Sequence, residues 1–461
     1  MFELLLLLTA VVLAITWLGS YLRTRDALHP AIYILPMMGV QYVMRPWFLY
    51  QNNAIQPFFP RDSYLETAAF VHLLGVVAFS LGCFPRRRDL VSRPLWQTVL
   101  TLQARQNLVR LAVIFGLIST LVYYYSVFAV GGISVAYGRP KGGGLPLPSG
   151  YLGEAIGLCV PAVILLLFAW RGSALRFTHW LLIFFFASPY LLTGFLGTRR
   201  GPTFLILAAM AFTWFLVYRQ RVRLIRVLAT VGFIGLLVLI LFTNRPRVYL
   251  GSQEKIETDL VLDFLMPQQA SPGDDYVCAC GAITMAQQTG KYGWGRNMII
   301  TFLIRPIPKQ LWPTKYQDAQ RMLFGSHGGG ASLTYREVLG WEPHAGSAIG
   351  GVADLFREFS WFVIVAMYLY GAFYRALWTR ARASGGIWIV LYIYAAGLSI
   401  YIPTQSMSAV FHRFLFMSVP TVLLWHWLIM PWILRRKQQA KRAVPWIFSS
   451  QIAPAARAYW P

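Results

Sequence analysis

Charge is scarce in this sequence, and negative charge is scarcest. Only 13% of the 461 residues are charged, against about 25% in an average soluble domain. The chain has 17 acidic residues and 41 basic ones. So few charges, with 57% hydrophobic residues and a mean hydropathy of +0.53, exclude an ordinary water-soluble domain and put the chain in a bilayer. Cysteine is scarce too, at four residues. Cys83 and Cys159 fall inside apolar runs. Cys278 and Cys280 form a C-x-C pair that lacks the further ligands a metal site needs, and their close spacing would strain a disulfide. No function is assigned to the pair. Also missing are a G-x-x-x-x-G-K-[ST] phosphate loop, an H-E-x-x-H helix and an Asp-x-Asp pair of the kind that holds a metal for nucleotide-sugar transfer. The sequence therefore implies neither a metal nor a cofactor.

Long apolar runs, by contrast, are abundant. A helix needs about 20 apolar residues to cross a hydrocarbon core of about 30 Å. About eleven stretches qualify, centred on 2–19, 31–50, 65–84, 108–130, 151–170, 177–197, 202–218, 227–243, 359–377, 387–403 and 414–434. The first lacks a positive n-region and a small-residue cleavage site, so it reads as a retained span rather than a signal peptide. The expected fold is an all-α polytopic membrane protein. It divides into an N-terminal bundle of about eight spans (1–243), one large extracytoplasmic segment of short helices and Gly/Pro turns laid over the membrane surface (244–358), about three C-terminal spans (359–434) and a basic cytoplasmic tail (435–461).

A net charge of +24 suits nucleic acid, anionic lipid or anionic substrates. In a membrane chain most of it reports topology, because short cytoplasmic loops collect Lys and Arg. The clusters "PRRRDLVSR", "RGSALR", "YRQRVRLIR", "RALWTRAR" and "RRKQQAKR" fall at every second span boundary. All five are cytoplasmic if the N-terminus lies outside and the C-terminus inside, although they bear least on the first two spans. This places "GTRRGP", around Arg199 and Arg200, at a turn on the extracytoplasmic side, where positive charge is not expected. An arginine at a helix end often snorkels to lipid head groups. Two together, flanked by Gly197, Gly201 and Pro202, favour an anion site facing a cavity, because the guanidinium fork matches phosphate oxygens two at a time.

On the same face, "RNMIITFLIRPIPKQLWPTKY" (296–316) has an apolar run too short to span, followed by a proline-rich basic turn with Arg305, Lys309 and Lys315. The stretch "TYREVLGWEPHAGSAIGGVADLFREF" (334–359) mixes Glu337, His344, Asp354, Arg357 and Glu358 with glycines, and it is the best place in the chain for acid and base groups.

These features together resemble the Wzy-type oligosaccharide repeat-unit polymerases. The likeness rests on the G-x-R-(R)-G turn "GTRRG", on "RPIPKQLWPTKY" and on the Gly-rich "HAGSAIGGVADLFREF" leading into a late span, in the family's order with a single large outer loop. Lys309 and Tyr316 depart from the family's usual Arg and Pro. The resemblance implies a GT-C-like membrane glycosyltransferase of the bacterial cytoplasmic membrane, with its active site on the extracytoplasmic side. Its donor and acceptor would be undecaprenyl-pyrophosphate-linked oligosaccharides, polymerised into O-antigen, capsule or exopolysaccharide without metal or nucleotide sugar. Membrane lipids, but no nucleic acid, complete the expected partners, and direct contact with a flippase or a chain-length regulator stays open. On this reading Arg199, Arg200 and Arg305 hold the pyrophosphate, with Lys309, Lys315, Arg245 and Arg247 in support. His344 and Glu337 are the first candidates for the base, with Asp354 and Glu358 in reserve. His412 and Arg413, at the outer end of the last span, either line the same cavity or anchor their helix. Trp294, Trp312 and Trp341 are candidates for stacking on sugar rings. An O-antigen ligase and a polysaccharide transporter or flippase are the alternatives. No self-similar halves support the transporter, and "RPIPKQLWPTKY" favours the polymerase over the ligase.

Overall fold

The computed structural model describes residues 1–90, 101–139, 150–171, 173–218, 222–305, 307, 309–324, 335–344 and 347–431. The tail at 435–461, the end of the last expected span and the cluster "RRKQQAKR" lie outside the described residues, as do parts of "PRRRDLVSR", "RGSALR" and "YRQRVRLIR". Every regular element among the described residues is helical. Lipid dictates this, since a spanning backbone must satisfy its own N–H and C=O groups.

Nine helices among the described residues are long and apolar enough to cross a membrane: Phe2–Thr24, Asp62–Cys83, Leu102–Ala129, Leu152–Ala169, Phe177–Phe195, Arg200–Tyr218, Leu224–Thr243, Ile387–Thr404 and Met407–Leu428. Each overlaps one of the eleven expected stretches. The other two stretches are helical but outside the nine. Pro30–Gly39 runs through a π-helical turn, Val40–Met44, into Arg45–Gln51, and it contains Pro36 and Arg45. Val363–Ser384 carries Arg375, Arg380 and Arg382. It packs tightly on Asp62–Cys83, because Gly82 and Gly371 each face the partner helix's backbone where a Cβ would overlap it.

Polar contacts sort the helix ends into two groups. At one end Asp26 accepts from Trp378 Nε1 at 3.0 Å and lies 3.7 Å from Arg382, Asp89 lies 3.8 Å from Arg375, and Asn107 donates to the Leu428 carbonyl at 2.8 Å. At the other end Gln51 donates to Glu3 at 2.6 Å, Asn52 to the Pro267 carbonyl at 3.1 Å, the Leu250 amide to the Tyr137 carbonyl at 2.8 Å, and Trp341 Nε1 to the Phe58 carbonyl at 2.8 Å. The 244–358 segment therefore caps the end that holds the Arg199–Arg200 turn.

That segment does not simply lie on the surface. Asp275–Thr289 is buried from Tyr276 to Thr284, because the small residues of "CACGA" let it approach its neighbours closely. Tyr276 sets its ring 5.3 Å from that of His72 in Asp62–Cys83. Gly350–Phe359 packs on the same helix, where Gly75 leaves room for Val352. Burial of these apolar faces builds two helices of the 244–358 segment into the bundle. All four cysteines are buried and free.

Candidate active site

A cavity of about 810 Å³ opens between the 244–358 segment and the span ends. It is lined by Arg199, Arg200, Arg245, Arg305 and Arg413, by the carboxylates Glu154 and Asp275, and by His344, Gln405, Tyr190 and Tyr401, among others. Five arginines against two carboxylates leave a surplus of three positive charges on its wall.

Local sequence explains the arginine pair. Thr198 is buried with φ 47°, a left-handed conformation that β-branched residues rarely adopt. It turns the chain sharply from Phe177–Phe195 into the helix that starts at Arg200. The positive end of that helix dipole opens at the cavity. Gly201 is required there, since a Cβ would overlap the Tyr401 hydroxyl. Arg200 donates to Asp275 at 2.7 Å and to the Thr404 carbonyl at 3.5 Å, and its guanidinium lies 4.9 Å from the centre of the Phe242 ring. Arg199 is exposed to the cavity and has no carboxylate partner among the described residues. Burial, followed by the charges of Arg199 and Arg200, lowers the Arg245 pKa below its ordinary value. Such crowding of cations is held in place by the fold and is relieved when an anion enters.

The rest of the charged lining comes from other elements. Arg305 donates to Glu154 Oε1 at 2.8 Å, and His412 Nδ1 lies 3.6 Å from the same oxygen. Arg413 donates to Gln405 at 3.1 Å and sits 4.7 Å from the centre of the Tyr401 ring. His344 is exposed at the rim, where its ring rests against Gly273.

Other sequence candidates are placed elsewhere. Lys315 is buried and donates to the carbonyls of Ile304, Arg305 and Ile307. Its three N–H groups are thus used to clamp the turn that presents Arg305. Burial, then Lys309 and Arg305, lowers its pKa. Lys309 is exposed and lies 5.9 Å from the centre of the Tyr316 ring. Arg247 pairs with Glu257 and, at 3.8 Å, with Glu254. Glu337 is exposed on the short helix Tyr335–Leu339 and does not line the cavity. Asp354 is buried, pairs with Arg357 at 2.9 Å and accepts from the Met407 amide at 3.0 Å, so it caps the last span. Burial raises its pKa against the pull of Arg357. Glu358 is buried and accepts from Asn297 and from the Gly295 amide. Trp312 donates to Asp318 at 2.6 Å, and Trp341 packs on Phe58 and Phe59. Neither these two nor Trp294 lines the cavity.

Two cavity carboxylates, Glu154 and Asp275, are absent from the candidates read from the sequence. Asp275 carries no distinctive pattern. Glu154 does, because it is the only acidic residue between Asp89 and Glu254 and stands at the start of an apolar span, where an ionisable group marks a functional site by default. Comparison of the chain with protein-family models, with curated proteins and with solved structures finds no match.

Proposed function

We propose that the chain is a membrane glycosyltransferase that polymerises undecaprenyl-pyrophosphate-linked oligosaccharide repeat units at the outer face of the bacterial cytoplasmic membrane. The observation that carries this reading is the cavity wall of Arg199, Arg200, Arg245, Arg305 and Arg413 at one end of an all-helical bundle. A lipid-linked donor sits with its pyrophosphate at the membrane surface, and its departure as a leaving group concentrates negative charge there. Preorganised cations aimed at that charge are the largest catalytic aid available to such a transfer. Glycosyl transfer from a pyrophosphate needs no nucleotide, and the arginines supply the charge stabilisation without a metal.

The topology supports the same reading. Counting Pro30–Gln51 and Val363–Ser384 with the nine most apolar helices gives eleven crossings among the described residues on this reading. At 1.5 Å per residue the 22 residues of Val363–Ser384 rise about 33 Å, enough for the hydrocarbon core. The end bearing Arg375 and Arg382 faces the cytoplasm by the positive-inside tendency. The cavity then opens on the opposite, extracytoplasmic side, where lipid-linked repeat units are joined.

The test is the lipid-linked glycan that accumulates when the gene is deleted, followed by complementation. A single repeat unit marks a polymerase, a full-length polymer marks a ligase, and an unchanged profile refutes both. Arg199→Ala and Arg305→Ala should reach the membrane and fail to restore polymer. Arg305→Lys should restore little, since a point charge replaces the two-pronged donor.

A further inference from the structure

An acceptor hydroxyl that attacks an anomeric carbon must lose its proton as the new bond forms. The group that takes it has to reach the acceptor hydroxyl across the anomeric carbon from the departing pyrophosphate, and Glu154 shares one cavity with the arginines that would face that leaving group. It lines the arginine cavity from the first turn of the Leu152–Ala169 span, and its side chain is 16% exposed. A lone carboxylate in so apolar a helix is costly unless paired. Its pairing is one-sided. Oε1 accepts from Arg305 at 2.8 Å and has His412 Nδ1 at 3.6 Å, whereas Oε2 accepts no hydrogen bond among the described residues. One oxygen is held by the Arg305 guanidinium, with the His412 ring close by, and the second is left to meet a substrate. Arg413, Tyr190 and Tyr401 are the other charged or titratable groups near it.

We infer that Glu154 is the catalytic base of the transfer, an assignment that rests on the glycosyltransferase reading above. Oε2 takes the proton of the acceptor hydroxyl while an oxygen electron pair forms the bond to the anomeric carbon. The bond from that carbon to the pyrophosphate oxygen breaks, and its electron pair leaves on the pyrophosphate, facing the arginines. The proton then passes from Glu154 to water in the open cavity. A carboxylate suits this step doubly, because its negative charge also stabilises the oxocarbenium character that develops on the sugar. His344 lies at the exposed rim, whereas Glu154 is hydrogen-bonded directly to Arg305, one of the residues assigned to the leaving group.

The test uses the purified full-length chain with a synthetic undecaprenyl-pyrophosphate-linked repeat unit, measuring donor binding and turnover separately. Glu154→Gln should bind the donor as the wild type does and lose about 10²- to 10⁴-fold in turnover, the usual contribution of a positioned base. His344→Ala should lose far less. Azide, a nucleophile with no proton to lose, should still displace the pyrophosphate in Glu154→Gln and yield the glycosyl azide, which a merely collapsed site would not do. Normal turnover by Glu154→Gln, or loss of azide reaction along with turnover, overturns the assignment. Should Glu154→Gln fail to accumulate, Glu154→Asp carries the test: it keeps the charge and withdraws it by one methylene, so turnover should fall with donor binding intact, and unchanged turnover overturns the assignment. Failure of the wild type itself to consume this donor would instead refute the function on which the inference rests.

Discussion

Asp275 holds the Arg200 guanidinium at 2.7 Å, while its neighbour Asp274 holds Arg45 from a different membrane helix. Two adjacent acids at the start of Asp275–Thr289 thus anchor the 244–358 segment to two arginines of the bundle, and one of those arginines is a cavity residue. Asp275 also neutralises part of the charge it orients. On the proposed function, Arg199 is the more exposed of the pair toward a pyrophosphate and Arg200 is held in a fixed pose.

If the proposed transfer is the activity, this arrangement predicts that Asp275→Ala lowers turnover by about 10²-fold through misplacement of Arg200, while Asp275→Asn recovers much of the loss. The asparagine oxygen still accepts from the guanidinium, so geometry rather than charge is restored. Turnover assays of the two variants at matched protein levels check this. Equal loss in both would show that the charge of Asp275 matters and its orienting role does not.

The sorting of helix ends predicts that Gln253→Cys reacts with an impermeant thiol reagent from outside the cell and that Ser173→Cys does not. Both positions are exposed, and the four native cysteines are buried, which keeps the background low. Labelling of Ser173→Cys alone would invert the proposed topology and remove the cavity from the proposed substrate.

Lys315 predicts a stability effect. Lys315→Met leaves the carbonyls of Arg305 and Ile307 without their ammonium donor, while that of Ile304 keeps the Ile307 amide at 3.1 Å, and an acceptor left unpaired away from water costs about 1–3 kcal/mol. The thermal midpoint in detergent should fall, and Arg305 should be displaced with its turn, weakening donor binding. An unchanged midpoint would mean that the ammonium contributes no net stability there.

A pH effect follows from His29. It caps Pro30–Gly39 by accepting from the Ala31 amide at 3.2 Å and packs edge-on against Trp378 at 4.5 Å. Burial first, then Arg382 and Arg375, pushes its pKa down from 6.5 to about 3. The unfolded chain therefore binds this proton more readily than the folded one between those two values. The stability from neutral His29 is present above pH 6.5 and is lost as pH falls toward about 3. His29→Asn keeps a capping acceptor without the titration. Its midpoint relative to the wild type should therefore rise across that acid window, and a constant difference would contradict the account.

Hydropathy and charge are properties of short stretches, so the sequence by itself determined the membrane class, the position of the nine most apolar helices among the described residues, the spacing of the basic clusters and the arginine pair at Arg199 and Arg200. It also marked Arg305 within a basic turn. The tertiary structure alone decided which charged groups converge. Arg305 reaches the cavity because Lys315 clamps its turn, while Asp354 and Glu358 turn inward to cap backbone amides at helix ends and turns. Glu154 meets Arg305 across 151 residues of chain. A buried charge must find a partner, and whether that partner is a distant arginine, a nearby amide or a substrate depends on how helices far apart in the sequence pack together, which no local pattern records.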